Sequence, residues 1–281
     1  DQDGDGYGTD VTEVFYCVAP AGLDETHSNS GGDCDDASNR NNPGAVEFCD
    51  GIDNNCNGTL DDEKGLVSWE TESSIVPVTS GNVTETTAGV LHVCEGTHSI
   101  TVSLADPSGD GLPRQIVGHG SGPESVILSG GTSNATVVSV TSGDIGDFSI
   151  SNLTIQDGVG SSYSESFGLS DMAGGVYCRN GALALTNVVL NKNEATFGGG
   201  LGADMCDITG DNLILRGNQA YQVENDDGGF CGALLMSGSV LSLTNSEITE
   251  NKGDLQSGIC WGHMPTKNGI IPDVAITFDS V

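Results

Sequence analysis

Asp1, Asp3 and Asp5 alternate with single residues and run into Gly6 and Tyr7. Acids at positions 1, 3 and 5 of a loop, a glycine at 6 and a backbone carbonyl at 7 surround a hard cation with oxygen. The same spacing returns as Asp53, Asn55, Asn57, Gly58, the Thr59 carbonyl and Asp61. The two amides lower the charge of this copy. Both loops predict calcium as the cofactor.

The first loop departs from a helix-flanked sensor loop. Position 12 is Thr12 rather than a bidentate Glu, and Glu13 comes one residue late. A structural ion completed by distant acids is therefore expected, with Asp33, Asp35, Asp36 and Glu47 as candidates. Crowded carboxylates repel unless a divalent ion offsets them.

Four cysteines lie among these acids: Cys17, Cys34, Cys49 and Cys56. Three pairings are possible. Cys17–Cys34 with Cys49–Cys56 is the favoured one, and a zinc site is the alternative. Farther on, Cys231 and Cys260 fall at matching places of successive repeats and predict a bond between them. Nine cysteines leave at least one unpaired within the chain. Their number points to an oxidising compartment.

The chain has 281 residues and a formal net charge of -32, with eight Lys and Arg in all. Phosphate binding needs clustered bases, so nucleic acid is excluded as a partner, and an anionic membrane fits no better. No apolar run is long enough to span a bilayer, so membrane insertion of this segment is not expected. The chain begins inside a motif, which predicts a processed or partial protein.

Two domains are predicted. Residues 1–64 hold too little apolar surface to fold without metal and disulfides. Residues 65–281 read as short β-runs punctuated by Gly and Asn. Phe148–Ile155 is echoed by Leu183–Leu190, Asp207–Leu215, Leu241–Ile248 and Val274–Val281. The last copy stops in mid-unit, which predicts that the coil continues. A Gly-containing element precedes each later copy: Gly174–Tyr177, Gly199–Gly202, Gly228–Cys231 and Gly258–Trp261. Units of roughly 25–35 residues are the period of a solenoid, in which stacking creates the core. Asn152, Asn187, Asn212 and Asn245 fall at equivalent corners. They predict left-handed bends and a ladder of stacked amides.

Several segments resemble right-handed parallel β-helices of the pectin-lyase-like type. They are Val93–His98, Ile116–Gly120, Ser125–Gly131 and Leu153–Gly158. The Gly-Gly units are similar to those of polymorphic outer-membrane proteins. The fold class expected is all-β, a right-handed parallel β-helix behind a small irregular module. Residues 1–63 resemble the metal-binding motif of MopE-like bacterial surface proteins. The shared segments are Asp1–Gly8, Cys17, Gly32–Asp36, Pro43–Ala45 and Glu47–Gly58. That family's label mentions copper, but an all-oxygen set without His or Met spacing suits calcium better.

Enzymatic function is not expected. Gly118-His119-Gly120 reads as a Gly-rich turn. Arg114, Arg179, Lys192, Arg216, Lys252 and Lys267 read as scattered, with none beside an acid cluster to stabilise an enolate. Asp157, Asp171, Asp204, Asp226, Asp227 and Asp254 read as solvated loop residues. Together these features predict an extracellular or cell-surface bacterial protein, a structural or adhesive fibre subunit or stalk that self-associates head to tail or meets a surface glycan. A carbohydrate-binding or polysaccharide-cleaving protein is the alternative.

Overall fold

A computed structural model describes residues 2–9, 30–60, 67–72, 74–78, 81–131, 135–160, 173–221, 231–253, 257–261 and 276–279. Asp1, Cys17, Asp61, Asp171, Asp226, Asp227, Asp254 and Lys267 lie outside them. The chain divides into two compact units, Asp1–Leu66 and Val67–Val281.

The second unit is all-β apart from a 3₁₀ turn at Pro123–Ser125. Its first strands are Val67–Thr71 (β1), Ser74–Pro77 (β2), Asn82–Glu85 (β3), Gly89–Cys94 (β4), Gly96–His98 (β5) and Thr101–Asp106 (β6). Arg114–His119 (β7), Val126–Ser129 (β8), Val138–Gln156 (β9) and Val176–Asn191 (β10) follow. Then come Glu194–Ala195 (β11), Leu201–Arg216 (β12), Gln219–Ala220 (β13), Leu234–Ser237 (β14) and Leu241–Thr244 (β15). Glu247–Thr249 (β16), Lys252–Gly253 (β17), Ile259–Trp261 (β18) and Ile276–Asp279 (β19) complete the series.

β1 pairs antiparallel with β2 and β4. From β4 onward the strands pair in parallel into a curled sheet. The repeated segments stack in one register. Phe148 faces Leu183, Leu183 faces Ile208, Ile208 faces Leu241, and Leu241 faces Ile276. Their apolar side chains form interior columns. Phe148, Leu183, Ile208, Leu241, Leu153, Val188 and Leu213 are all buried. Each such aliphatic or aromatic side chain contributes roughly 1.5–3 kcal/mol.

Corners are set by residues that tolerate a left-handed backbone. Asn152, Asn187, Asn212 and Asn245 have φ of 55°, 55°, 53° and 50°. Asn187 donates to Asn152 Oδ1 and Asn212 to Asn187 Oδ1, each at 2.7 Å. Asn245 leaves this ladder and donates to Asp211 Oδ1 instead. A second ladder lies inside. The Asn193 side chain bonds Asn218 Oδ1, and that of Asn218 bonds Asn251 Oδ1. Each side chain also donates to a carbonyl of an adjacent turn, at Ile155, Leu190 and Leu215. Asn193 and Asn218 are completely buried. A buried amide persists only when its donors and acceptor are satisfied, and stacking identical amides achieves this turn after turn.

Several sequence expectations are corrected. The third Gly-containing element is not Gly228–Cys231, because Leu201 pairs with Leu234 and so Gly232-Ala233-Leu234 takes that place. Cys231 and Cys260 are therefore not at matching positions, since Cys260 pairs with Leu235. They are nonetheless disulfide-bonded, with Cα atoms 5.6 Å apart. Cys178 and Cys206 form a further bond between neighbouring turns. His119 ends strand β7 rather than occupying a turn, and its Nε2 lies 2.8 Å from His92 Nδ1. Asp204 sits in β12 and is buried, so it is not a solvated loop acid. Burial pushes its carboxyl above the usual range, against the pull of Arg179, whose Nε is 3.6 Å away.

Arg114 also departs from its expectation. It is fully buried and sits between Asp106 and Asp110. Its hydrogen bond holds the Asp110 carboxyl down to about 2. A folded-state value below the unfolded value of 3.8 stabilises the fold above that value, and the stabilisation is lost as pH falls through about 2. Thermal melts between pH 5 and pH 2 should therefore fall more steeply for the wild type than for Asp110→Asn. Parallel curves for the two proteins would exclude this contribution.

Candidate metal site

The first unit, among its described residues, is built from turns rather than strands. One parallel bridge joins Tyr7 to Ser30. Gly8 N–H donates to Ser30 and Asp33 N–H to Gly8, which brings the 30–36 segment against the first loop. Aspartates favour such loops because one carboxylate oxygen can accept a backbone N–H two residues ahead. Asp3 Oδ1 accepts from Asp5, Asp5 Oδ1 from Tyr7, and Asp33 Oδ1 from Asp35. Gly6 has φ of 97°, a bend that an L side chain resists.

The three acids also lie close together. Asp3, Asp5 and Asp33 each offer an oxygen within 4.8 Å of the other two. Their Oδ2 atoms are buried and have no hydrogen-bond partner. Burial raises the Asp33 carboxyl first, the Asp35 N–H opposes that rise, and the charges of Asp5, Asp3 and Asp36 add to it. Two unit charges ~4 Å apart repel by about 4 kcal/mol at an effective dielectric near 20, and solvent beside the half-buried Asp3 and Asp5 reduces this. Three converging carboxylates, each with a buried unpartnered oxygen, fit a hard cation. The chemistry they offer is charge neutralisation and cross-linking of two chain segments.

The remaining predicted ligands also accept hydrogen bonds. Asp35 accepts from Ala37 N–H and Asn41, and Asp36 from Gln2 N–H. Glu47 is buried and spans the second loop, accepting from Asn54 N–H and Asn55 N–H. Asp53 accepts from Asn57 N–H and Gly58 N–H, Asn55 from Asn57 N–H, and Asn57 from Thr59 N–H. Asp61 falls outside the described residues. Among the described residues, no other group of three acidic, His or Cys side chains converges as Asp3, Asp5 and Asp33 do.

Cys34 and Cys56 are disulfide-bonded, with Cα atoms 5.6 Å apart. This overturns the favoured pairing of Cys17–Cys34 with Cys49–Cys56, and it leaves Cys34 and Cys56 with no thiol to offer the alternative zinc site. Cys34 Sγ and N–H lie against the second loop, at Asp53 O and Cys56 Sγ. Cys49 is buried and also disulfide-bonded. Disulfides of this number belong to an oxidising, non-cytoplasmic setting. No helix of the described residues is long and apolar enough to cross a membrane.

A family model described as "Putative metal-binding motif" (Cu-binding MopE) matches residues 33–62. The match takes in Asp33 and the second loop, and Asp3 and Asp5 lie before it. No curated protein and no solved structure matches the chain.

Proposed function

We propose that the chain is a structural or adhesive surface protein whose first unit is fastened by calcium and whose second is a right-handed parallel β-helix. The observation that carries the metal reading is the convergence of the Asp3, Asp5 and Asp33 carboxylates, each of which keeps one buried oxygen without a hydrogen-bond partner. Calcium follows from chemistry. The donors are all oxygen, loops rather than a rigid cage present them, and calcium accepts six to eight such ligands in flexible geometry. Asp1 and the Tyr7 carbonyl are the proposed further ligands, and the second loop is the weaker, less charged site.

Support for a structural role comes from the way the second unit is held. Parallel strands in one register, two amide ladders and disulfides between turns resist local opening. Such a stack suits a load-bearing stalk or fibre subunit. Its strand edges favour head-to-tail self-association, with a surface glycan as the other class of partner. Electron microscopy of the purified protein in millimolar calcium should show elongated end-to-end assemblies that disperse in chelator. Particles that stay single in both conditions, or cleavage of a uronic-acid polymer by the protein, would contradict this role.

A further inference from the structure

The stretch Asp106-Pro107-Ser108-Gly109-Asp110-Gly111-Leu112 repeats the spacing of the two acidic loops of the first unit. Acid stands at position 1, Ser at 3, Asp at 5 and Gly at 6. The local geometry matches too. Asp106 accepts from Asp110 N–H at 3.2 Å and Gly111 N–H at 3.4 Å, as Asp53 accepts from Asn57 N–H and Gly58 N–H. Position 7 donates back to the position-5 side chain in all three loops. The distances are 2.8 Å for Tyr7, 2.8 Å for Thr59 and 2.9 Å for Leu112. The position-6 glycines Gly6, Gly58 and Gly111 have φ of 97°, 90° and 68°.

What differs is the centre. Arg114, at position 9, sends its guanidinium into the loop. Nη1 donates to Asp110 Oδ1 at 3.2 Å and to the position-7 carbonyl of Leu112 at 2.9 Å. Nη2 donates to Asp110 Oδ2 at 3.2 Å and lies 3.4 Å from Asp106 Oδ1. A bond from Nη2 to Thr86 O at 2.7 Å ties the group to another segment. Arg114 and Asp106 side chains are wholly buried. The guanidinium thus contacts oxygens of positions 1, 5 and 7, three of the positions from which such a loop ligates calcium.

We propose that the Asp106–Arg114 loop is a calcium-type cation site filled by the chain's own Arg114 guanidinium. A fixed cation keeps this turn closed in any calcium concentration. The protein then holds two kinds of the same loop, one dependent on an external ion and one carrying its own. Arg suits the second role because it stays charged and its planar fork matches a carboxylate at two points. Removing it leaves Asp106 and Asp110 facing an empty centre, with the charge of a divalent ion missing.

The test is the full-length Arg114→Ala variant, melted in chelator and in 10 mM calcium beside the wild type. In chelator the variant should melt about 10 °C lower, as expected for breaking a buried ion pair. Calcium should restore at least half of that loss, and calorimetry should count one more calcium per chain than in the wild type. The double variant Asp110→Asn, Arg114→Ala should lose both effects. Equal destabilisation in calcium and chelator, with no added ion, would overturn the proposal. Because the readout is the difference from the wild type, it does not depend on the Asp3–Asp5–Asp33 site. Should the variant not fold, hydrogen exchange of wild-type Asp110, Gly111 and Leu112 decides. Protection unchanged by chelator supports a resident guanidinium, and protection that rises with calcium overturns it.

Discussion

Asn218→Leu lowers the stability of the second unit by about 4–6 kcal/mol, a large effect for a single change in the parallel stack. The variant removes the acceptor of the Asn193 N–H and Nδ2, and the donor to Leu190 O. Asn193 is fully buried, so water cannot substitute. Each unsatisfied buried group costs roughly 1–3 kcal/mol; the Asn193 N–H, one Nδ2–H of Asn193 and Leu190 O each lose a partner, while Asn193 Nδ2 keeps its bond to Ile155 O. The apolar surface of Leu recovers part of this. At about 2–4 °C per kcal/mol for a unit of this size, the melting temperature should fall by roughly 8–24 °C. Asn187→Ala is the contrasting variant. It breaks two outer ladder bonds near solvent and places Ala at φ 55°, for a combined cost of about 2 kcal/mol. Equal losses from both substitutions would show that the inner ladder has no special weight.

Chelation is the second large effect. A ligand at 100 times its dissociation constant stabilises the state that binds it by about 2.7 kcal/mol. The first unit is short of apolar core, and its buried set includes Asp33, Asn41, Asn42, Glu47 and Asn54. Such polar groups hold their places through hydrogen bonds among themselves, such as Asn54 Nδ2 to Asn41 Oδ1 at 2.9 Å. Removing calcium should therefore lower the melting of this unit by an amount comparable to its whole stability. Asp33→Asn should remove most of the calcium dependence, because it deletes the most buried of the three converging charges. It should also raise stability in chelator, since the repulsion from Asp3 and Asp5 disappears. That opposite response in the two conditions separates a metal ligand from an ordinary structural aspartate, and circular dichroism melts of the full chain read it.

The repeat was legible in the sequence because each turn places similar residues in one register. The corner asparagines Asn152, Asn187 and Asn212 stood out by their place in matching apolar runs. The inner row of Asn193, Asn218 and Asn251 carried the same spacing, but it follows the strand segment rather than dividing it. A polar residue in that place reads as loop, although the fold buries it. The third Gly-containing element was misplaced because Gly228-Gly229 matches the pattern better than Gly232-Ala233, and only the strand register distinguishes them.

The metal site was legible in part. Asp3 and Asp5 follow from loop spacing, whereas the approach of Asp33 depends on backbone bonds through Gly8 that no local pattern encodes. Cys34–Cys56 escaped the reading for the same reason: both cysteines are brought together by a turn-built unit without periodicity. Arg114 looked isolated because its acids lie four and eight residues upstream, beyond two prolines, and the Ser at position 3 weakened the loop's acidic signature.

Calorimetric titration of the wild type and Asp33→Asn with calcium tests the central claim most directly. The wild type, stripped of divalent ions, should take up calcium with saturable heat, and the variant should lose one equivalent. A wild type that takes up no calcium at millimolar concentration, or a variant that matches it ion for ion, would contradict a calcium site built from Asp3, Asp5 and Asp33.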